Sequence, residues 1–324
     1  MPVTEITPDL DALTMTLVVD ADVPVERLWR AFTEPAQLER FWGPPGYPAT
    51  FTMPEFAPGA IVRYAMTSPE GQRFGGSWEV LSIDEPHAFA VLDRFVDDDG
   101  NAIPGMPVMR MTFAFEPTEQ GSRLTNVTYF DTLEGLEQNL AMGAIEGSRL
   151  AMGQLDLVLH DLREFAAGRG TELEILSDTH VRITRVINGP LDAVWRAYTD
   201  PDLVPKWMLG PDGWVMTEHI LSLEPGGYNR QAWAPTDPTQ GEPFGFEGET
   251  VLVEPHRRLV STERMIGMPE PQTTNDLAFY AEDGQTLLTL VITYPDAQTR
   301  DMILATGMID GMEASYARLE SVLG

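Results

Sequence analysis

The chain has 324 residues, enough for about two domains at roughly 150 residues each. With 21 basic and 50 acidic residues its formal net charge is −29, which argues against a nucleic-acid partner and against docking on anionic lipid, since both demand a basic face. Cysteine is absent, so disulfides, thiolate metal sites and cysteine nucleophiles are excluded; 43% hydrophobic residues are ample for packed cores. No run approaches the length of a membrane span, and Met1 to Asp9 has neither the basic nor the apolar region of a leader, so a cytoplasmic location is expected.

The elements follow in chain order. Alternating Leu13, Met15, Leu17 and Val19 predict a strand that stops at Val23-Pro24. Pro24 suits the first turn of a short helix carrying Leu28, Trp29 and Phe32, and Thr33-Glu34-Pro35 ends it and begins a second one that runs to Trp42. Six strands separated by turn residues are predicted at 49–55, 60–68, 74–83, 89–96, 108–116 and 122–130, and one long helix at 133–165. The same order then repeats. A strand containing Val181, Ile183 and Ile187 meets Gly189-Pro190, and a helix carries Val194, Trp195 and Tyr198. A second short helix ends at Trp207, six strands are predicted at 214–223, 227–234, 244–253, 258–266, 274–281 and 285–294, and one long helix at 297–323.

The two halves also share residues. Trp29-Arg30-Ala31-Phe32-Thr33-Glu34-Pro35 returns as Trp195-Arg196-Ala197-Tyr198-Thr199-Asp200-Pro201. Gly43-Pro44 answers Gly210-Pro211, Pro58-Gly59 answers Pro225-Gly226, Glu85-Pro86-His87 answers Glu254-Pro255-His256, and Leu140-Ala141-Met142-Gly143 answers Leu304-Ala305-Thr306-Gly307. A period this long is not a solenoid unit, so the chain reads as two tandem domains, 1–166 and 177–324, joined by a linker at 167–176. Each is an α+β unit: a curved antiparallel sheet gripping a long C-terminal helix, with two short helices after the first strand.

These motifs, with the late Gly147 and Gly311, resemble the Bet v 1/START-like (SRPBCC) superfamily, and within it the bacterial branch related to the activator of Hsp90 ATPase. Where that family often has Trp after the second glycine, this chain has Ser148 and Met312. The resemblance implies an apolar cavity between sheet and long helix. It further implies a hydrophobic small-molecule ligand such as a polyketide or aromatic natural product, held for sequestration or self-resistance. Two alternatives follow from it: a polyketide cyclase or aromatase, and a co-chaperone-like interaction module. A fold of this kind does not by itself choose among them.

The residues supply the candidates for a site. Leu140, Gly143, Gly147, Ala151, Leu155 and Leu159 fall on one helical stripe, repeated by Leu304, Gly307, Gly311, Ser315, Leu319 and Leu323. The small residues in mid-stripe either bring the backbone close to the sheet or leave room for a ligand. Met111, Met142 and Met308 belong to clusters of methionines suited to ordinary core filling or to an adaptable pocket. Tyr64, Trp78 and Trp233 are candidate aromatic walls. Arg63 and Arg230 recur at one matched strand position and Arg94 and Arg264 at another, either on the solvated face or turned inward to hold a ligand carboxylate, phenolate or carbonyl. Alternation forbids Arg63 and Tyr64 from sharing a face. The five histidines lack metal-ligand spacing, no nucleophile elbow occurs, and Asp97-Asp98-Asp99-Gly100-Asn101 lacks the length of a calcium loop, so neither cofactor nor metal is expected.

Overall fold

The computed structural model describes residues 3–159, 169–209 and 213–323; the expected domain boundary at 166–168 and the Gly210-Pro211 motif lie outside the described residues. The chain divides near residue 160 into two compact units.

The first unit contains β1 (Val3–Asp9), β2 (Thr14–Ala21), α1 (Val25–Thr33), α2 (Pro35–Leu38), β3 (Ala49–Thr52), β4 (Ile61–Thr67), β5 (Arg73–Asp84), β6 (Ala88–Val96), β7 (Val108–Thr118) and β8 (Gly121–Phe130). Helices α3 (Leu133–Ala141), α4 (Ala144–Met152) and α5 (Asp156–Leu159) follow. The antiparallel sheet has the order β1-β2-β8-β7-β6-β5-β4-β3. Met15, Leu17 and Val19 are buried and their neighbours are not, the alternation of a strand with one face on the core. Leu28, Trp29 and Phe32 on α1 bury against the sheet, where Trp29 meets Phe89 and Phe115 edge-on at 5.7 and 5.3 Å.

The second unit repeats this plan with β9 (Glu172–Ile175), β10 (His180–Ile187), α6 (Leu191–Thr199), α7 (Val204–Trp207) and β11 (Trp214–Ile220). It continues through β12 (Tyr228–Pro235), β13 (Phe244–Glu254), β14 (Arg258–Met265), β15 (Gln272–Glu282) and β16 (Gln285–Thr293), then α8 (Ala297–Leu304) and α9 (Met308–Leu323). Its sheet order is β11-β12-β13-β14-β15-β16-β10-β9.

Two features differ from the sequence reading. Strands β1 and β9 were not expected, and β9 lies within the 167–176 stretch read as linker. Both pair as sheet edges, and β9 is exposed at its two ends, so it lacks an apolar alternation to reveal it. The single long C-terminal helices are instead broken. Gly143 at φ +85° and Gly307 at φ +79° occupy the left-handed region, which interrupts the helical ladder and which glycine enters without a Cβ penalty. In the first unit Leu140 packs with Met15, Met109, Phe130 and Leu136, whereas Ala151, Leu155 and Leu159 join the aromatic core beneath α1. In the second unit Ile303 and Leu304 before the break and Met308 and Ile309 after it pack on one cluster with Ile183 and Tyr294.

Candidate functional site

Two glycines of the closing helices are not points of close approach to the sheet. Gly147 lies on the α4 face between Ala144 and Ala151, which pack on separate apolar clusters. No atom beyond its own helix neighbourhood comes within 4 Å of where its Cβ would stand. Gly311 lies likewise on α9 between Met308, which packs on one cluster, and the buried Ser315, and it too has nothing within 4 Å. Neither glycine serves a close approach of backbone to sheet; the residue leaves open space. Gly143 and Gly307 are exposed and serve the helix breaks.

Strand register places the other candidates. On β4 Tyr64 packs on the core while Arg63 is exposed. On β6 Phe89 and Val91 are core residues, so Asp93 shares their face and Arg94 takes the other, where it pairs with Glu79 at 2.8 Å. The second unit repeats this: Arg230 pairs with Glu218 at 2.8 Å and Glu247 at 3.0 Å, and Arg264 with Glu247 at 3.2 Å. Arg94, Arg230 and Arg264 therefore belong to ion pairs on the outer faces and do not join the inward residues. Met142 is 49% exposed and also stands apart. Trp78 is fully buried beside Asp93, Met111 packs on the same core, and Met308 packs beneath the second helix break. Trp233 faces inward and donates from Nε1 to the carbonyl of Met208 at 2.8 Å.

The residue before each of Arg94 and Arg264 is an acid, a signal present in the sequence. Asp93 precedes Arg94 as Glu263 precedes Arg264, a matched acid–arginine pair in which the arginine faces out and the acid faces in. The carboxyl oxygens of Asp93 accept from Tyr64 Oη at 3.0 and 3.2 Å. Burial pushes the Asp93 carboxyl up to about 7, against the opposing effect of the Tyr64 hydrogen bond, and burial and the neighbouring Asp93 raise the Tyr64 phenol well above its ordinary value. In the second unit burial raises Glu263, opposed by its hydrogen bond with Asn275. The Tyr294 phenol is raised to about 12 by burial and by the nearby Glu263.

Several inward polar atoms have no hydrogen-bond partner. In the first unit these include Trp78 Nε1, Thr128 Oγ1 and Asn139 Oδ1; in the second, Asn275 Oδ1, Tyr294 Oη and both ring nitrogens of His219. An unmet buried polar group costs about 1–3 kcal/mol, so these atoms are polar points in two otherwise apolar interiors. Matched turns account for other motifs. His256 stacks on Trp195 at 5.3 Å with Nδ1 3.1 Å from Asp192, and Asp97 accepts from the backbone of Asp99 and Asn101 to close a hairpin. Among the described residues no group of three His, Asp or Glu side chains is placed to hold a metal ion, and no helix is long and apolar enough to cross a membrane.

Comparison with known proteins matches this repeated architecture. The family of activator of Hsp90 ATPase homolog 1-like proteins matches residues 22–160 and again 188–324. A crystal structure of a protein from Mycobacterium smegmatis is 42% identical over 49% of this chain and 98% of its own, with a TM-score of 0.46. A solution structure of a protein from Arthrobacter aurescens is 36% identical over 48% of this chain and 91% of its own, with a TM-score of 0.47. A protein described as a putative product of the dynemicin biosynthetic locus aligns with 96% of this chain and 99% of its own, at 14% identity and a TM-score of 0.34. A search of curated proteins found no match. The two matched segments together span most of the sequence, and the chain belongs to the activator of Hsp90 ATPase homolog 1-like family as a tandem pair of its domains.

Proposed function

We propose that the chain binds a bulky, mostly apolar small molecule between sheet and closing helices, and that the ligand is a polyketide or related aromatic natural product held for sequestration or self-resistance. The observation that carries this reading is the open space at Gly147 and Gly311, each on the helix face between apolar clusters. A mid-helix glycine costs about 1 kcal/mol relative to alanine, and here no packing contact offsets it. The chemical class of the ligand rests on the superfamily resemblance. Binding needs no reaction: apolar walls supply the affinity and a few inward polar groups fix orientation.

Native mass spectrometry of the full chain, together with titration of 1-anilinonaphthalene-8-sulfonate and aromatic polyketides, tests the reading. Retention of such molecules is the expected result; a chain that retains none of them overturns it. A cyclase or aromatase would draw on the same interior and would need a general acid or base in reach of the substrate. Incubation with poly-ketone substrates separates the two, because turnover changes the product's mass and binding alone leaves the ligand intact.

A further inference from the structure

The geometry points to a division of labour between the two domains: the second holds the polar end of the ligand, a hydroxyl that donates to Glu263 and Asn275, while the first has closed the equivalent place with its own Tyr64. This rests on the small-molecule binding proposed above and adds where the ligand sits and which group it must carry.

In the first domain Trp78 stands opposite Asp93 in the sheet, and Tyr64 stands opposite Gly76. A Cβ on Gly76 would fall 2.1 Å from the Tyr64 ring, so the glycine is what allows that ring to lie across β5 and reach Asp93. The acid is thereby covered by two aromatic side chains and bonded at both carboxyl oxygens. In the second domain the repeat puts Gln231 where the first has Tyr64. Gln231 stands opposite Phe246, which occupies the place of Gly76 and denies any ring that passage. By the repeat Gly248 takes the place of Trp78, and there the Thr262 carbonyl oxygen comes within 2.0 Å of where a Cβ would stand. A tryptophan and a tyrosine are thus replaced by a glycine and a glutamine beside the inward acid.

The groups left there need a donor. Glu263 is bonded to Asn275, whose Oδ1 is buried without a partner. Tyr294, 2% exposed, has an unpartnered Oη close enough to Glu263 for their charges to interact. A carboxylate and an amide oxygen accept and the Tyr294 hydroxyl can donate, so a phenolic or alcoholic O–H, which does both, completes them where an ether, which only accepts, cannot. Phe246 and the half-exposed Met265, opposite each other on the same face, provide an apolar approach to the acid.

Equilibrium dialysis of the full chain with 2-naphthol and with 2-methoxynaphthalene tests this. The expected result is one tight 2-naphthol site per chain, with 2-methoxynaphthalene at least tenfold weaker. Asn275→Leu, which keeps the shape but removes the unpaired acceptor, lowers 2-naphthol affinity at least tenfold, as does Met265→Trp, whose half-exposed position spares the fold. Two equal 2-naphthol sites, equal affinity for both probes, or unchanged binding by both variants overturns the division of labour and leaves small-molecule binding standing. A wild-type chain that binds neither probe nor the sulfonate fluorophore and polyketides overturns the binding reading itself.

Discussion

Replacing Asp93 with Asn should make the first domain more stable at pH 8 and flatten its dependence on pH. Burial raises the Asp93 carboxyl from 3.8 to about 7 in the folded chain. Below the lower value the group is protonated in both folded and unfolded chains, and folding bears no ionisation penalty. Between the two values the unfolded chain releases the proton and the folded chain keeps it, so stability falls as pH rises and levels off above about 7. A shift of about three units at about 1.4 kcal/mol each sets an upper bound of about 4 kcal/mol for that loss. Asn cannot ionise, yet its Oδ1 still accepts from Tyr64 Oη, which lies 3.0 Å from a carboxyl oxygen in the native protein. The assay is urea unfolding of wild type and Asp93→Asn at intervals from pH 4.5 to 8.5. The general repulsion of a chain with net charge −29 acts on both proteins and cancels in their difference. The difference should be small at the acid end and grow in favour of the variant towards pH 8. A difference that stays constant across the range would refute the buried, protonated carboxyl.

Other substitutions probe the rest of the framework. Gly147→Ala, with open space around the new methyl and an ordinary helical φ, should raise stability by about 0.5–1 kcal/mol in chemical denaturation, and any loss would mean that the space is occupied. Gly143→Ala should instead cost about 1–2 kcal/mol, because a Cβ must then sit at φ +85°. Asp276→Ala should destabilise the second domain by roughly 3–5 kcal/mol in the same measurement. Arg258, 1% exposed, bonds both Asp276 oxygens, at 2.7 and 2.6 Å, and would lose both of these buried charge-assisted bonds. Tyr64→Phe removes the hydrogen bond that opposes burial at Asp93, so the carboxyl resonance of Asp93 followed by NMR should titrate at higher pH than in wild type; a titration at unchanged pH would contradict the contact.

What the sequence by itself determined was the repeat and most of each domain. The Trp-Arg-Ala-aromatic-Thr-acid-Pro motif, the prolines that open and close α1 and α6, and the period-two alternation of strands such as β2 are local signals, written in consecutive residues. Edge strands β1 and β9 escaped because β9 buries little and both draw their stability from a neighbouring strand. The breaks at Gly143 and Gly307 escaped because a glycine in a helical pattern does not announce its φ, which only the folded chain fixes. The site was legible only as residue types. Alternation required Arg63 and Tyr64 to face opposite ways, and only the sheet's pairing with the core decided that Tyr64 and Asp93 turn inward and the arginines outward to Glu79, Glu218 and Glu247. Whether an inward acid is capped by a ring depends on what stands across the strand, Gly76 in one domain and Phe246 in the other. That is a contact between residues distant in sequence, which only the folded sheet creates.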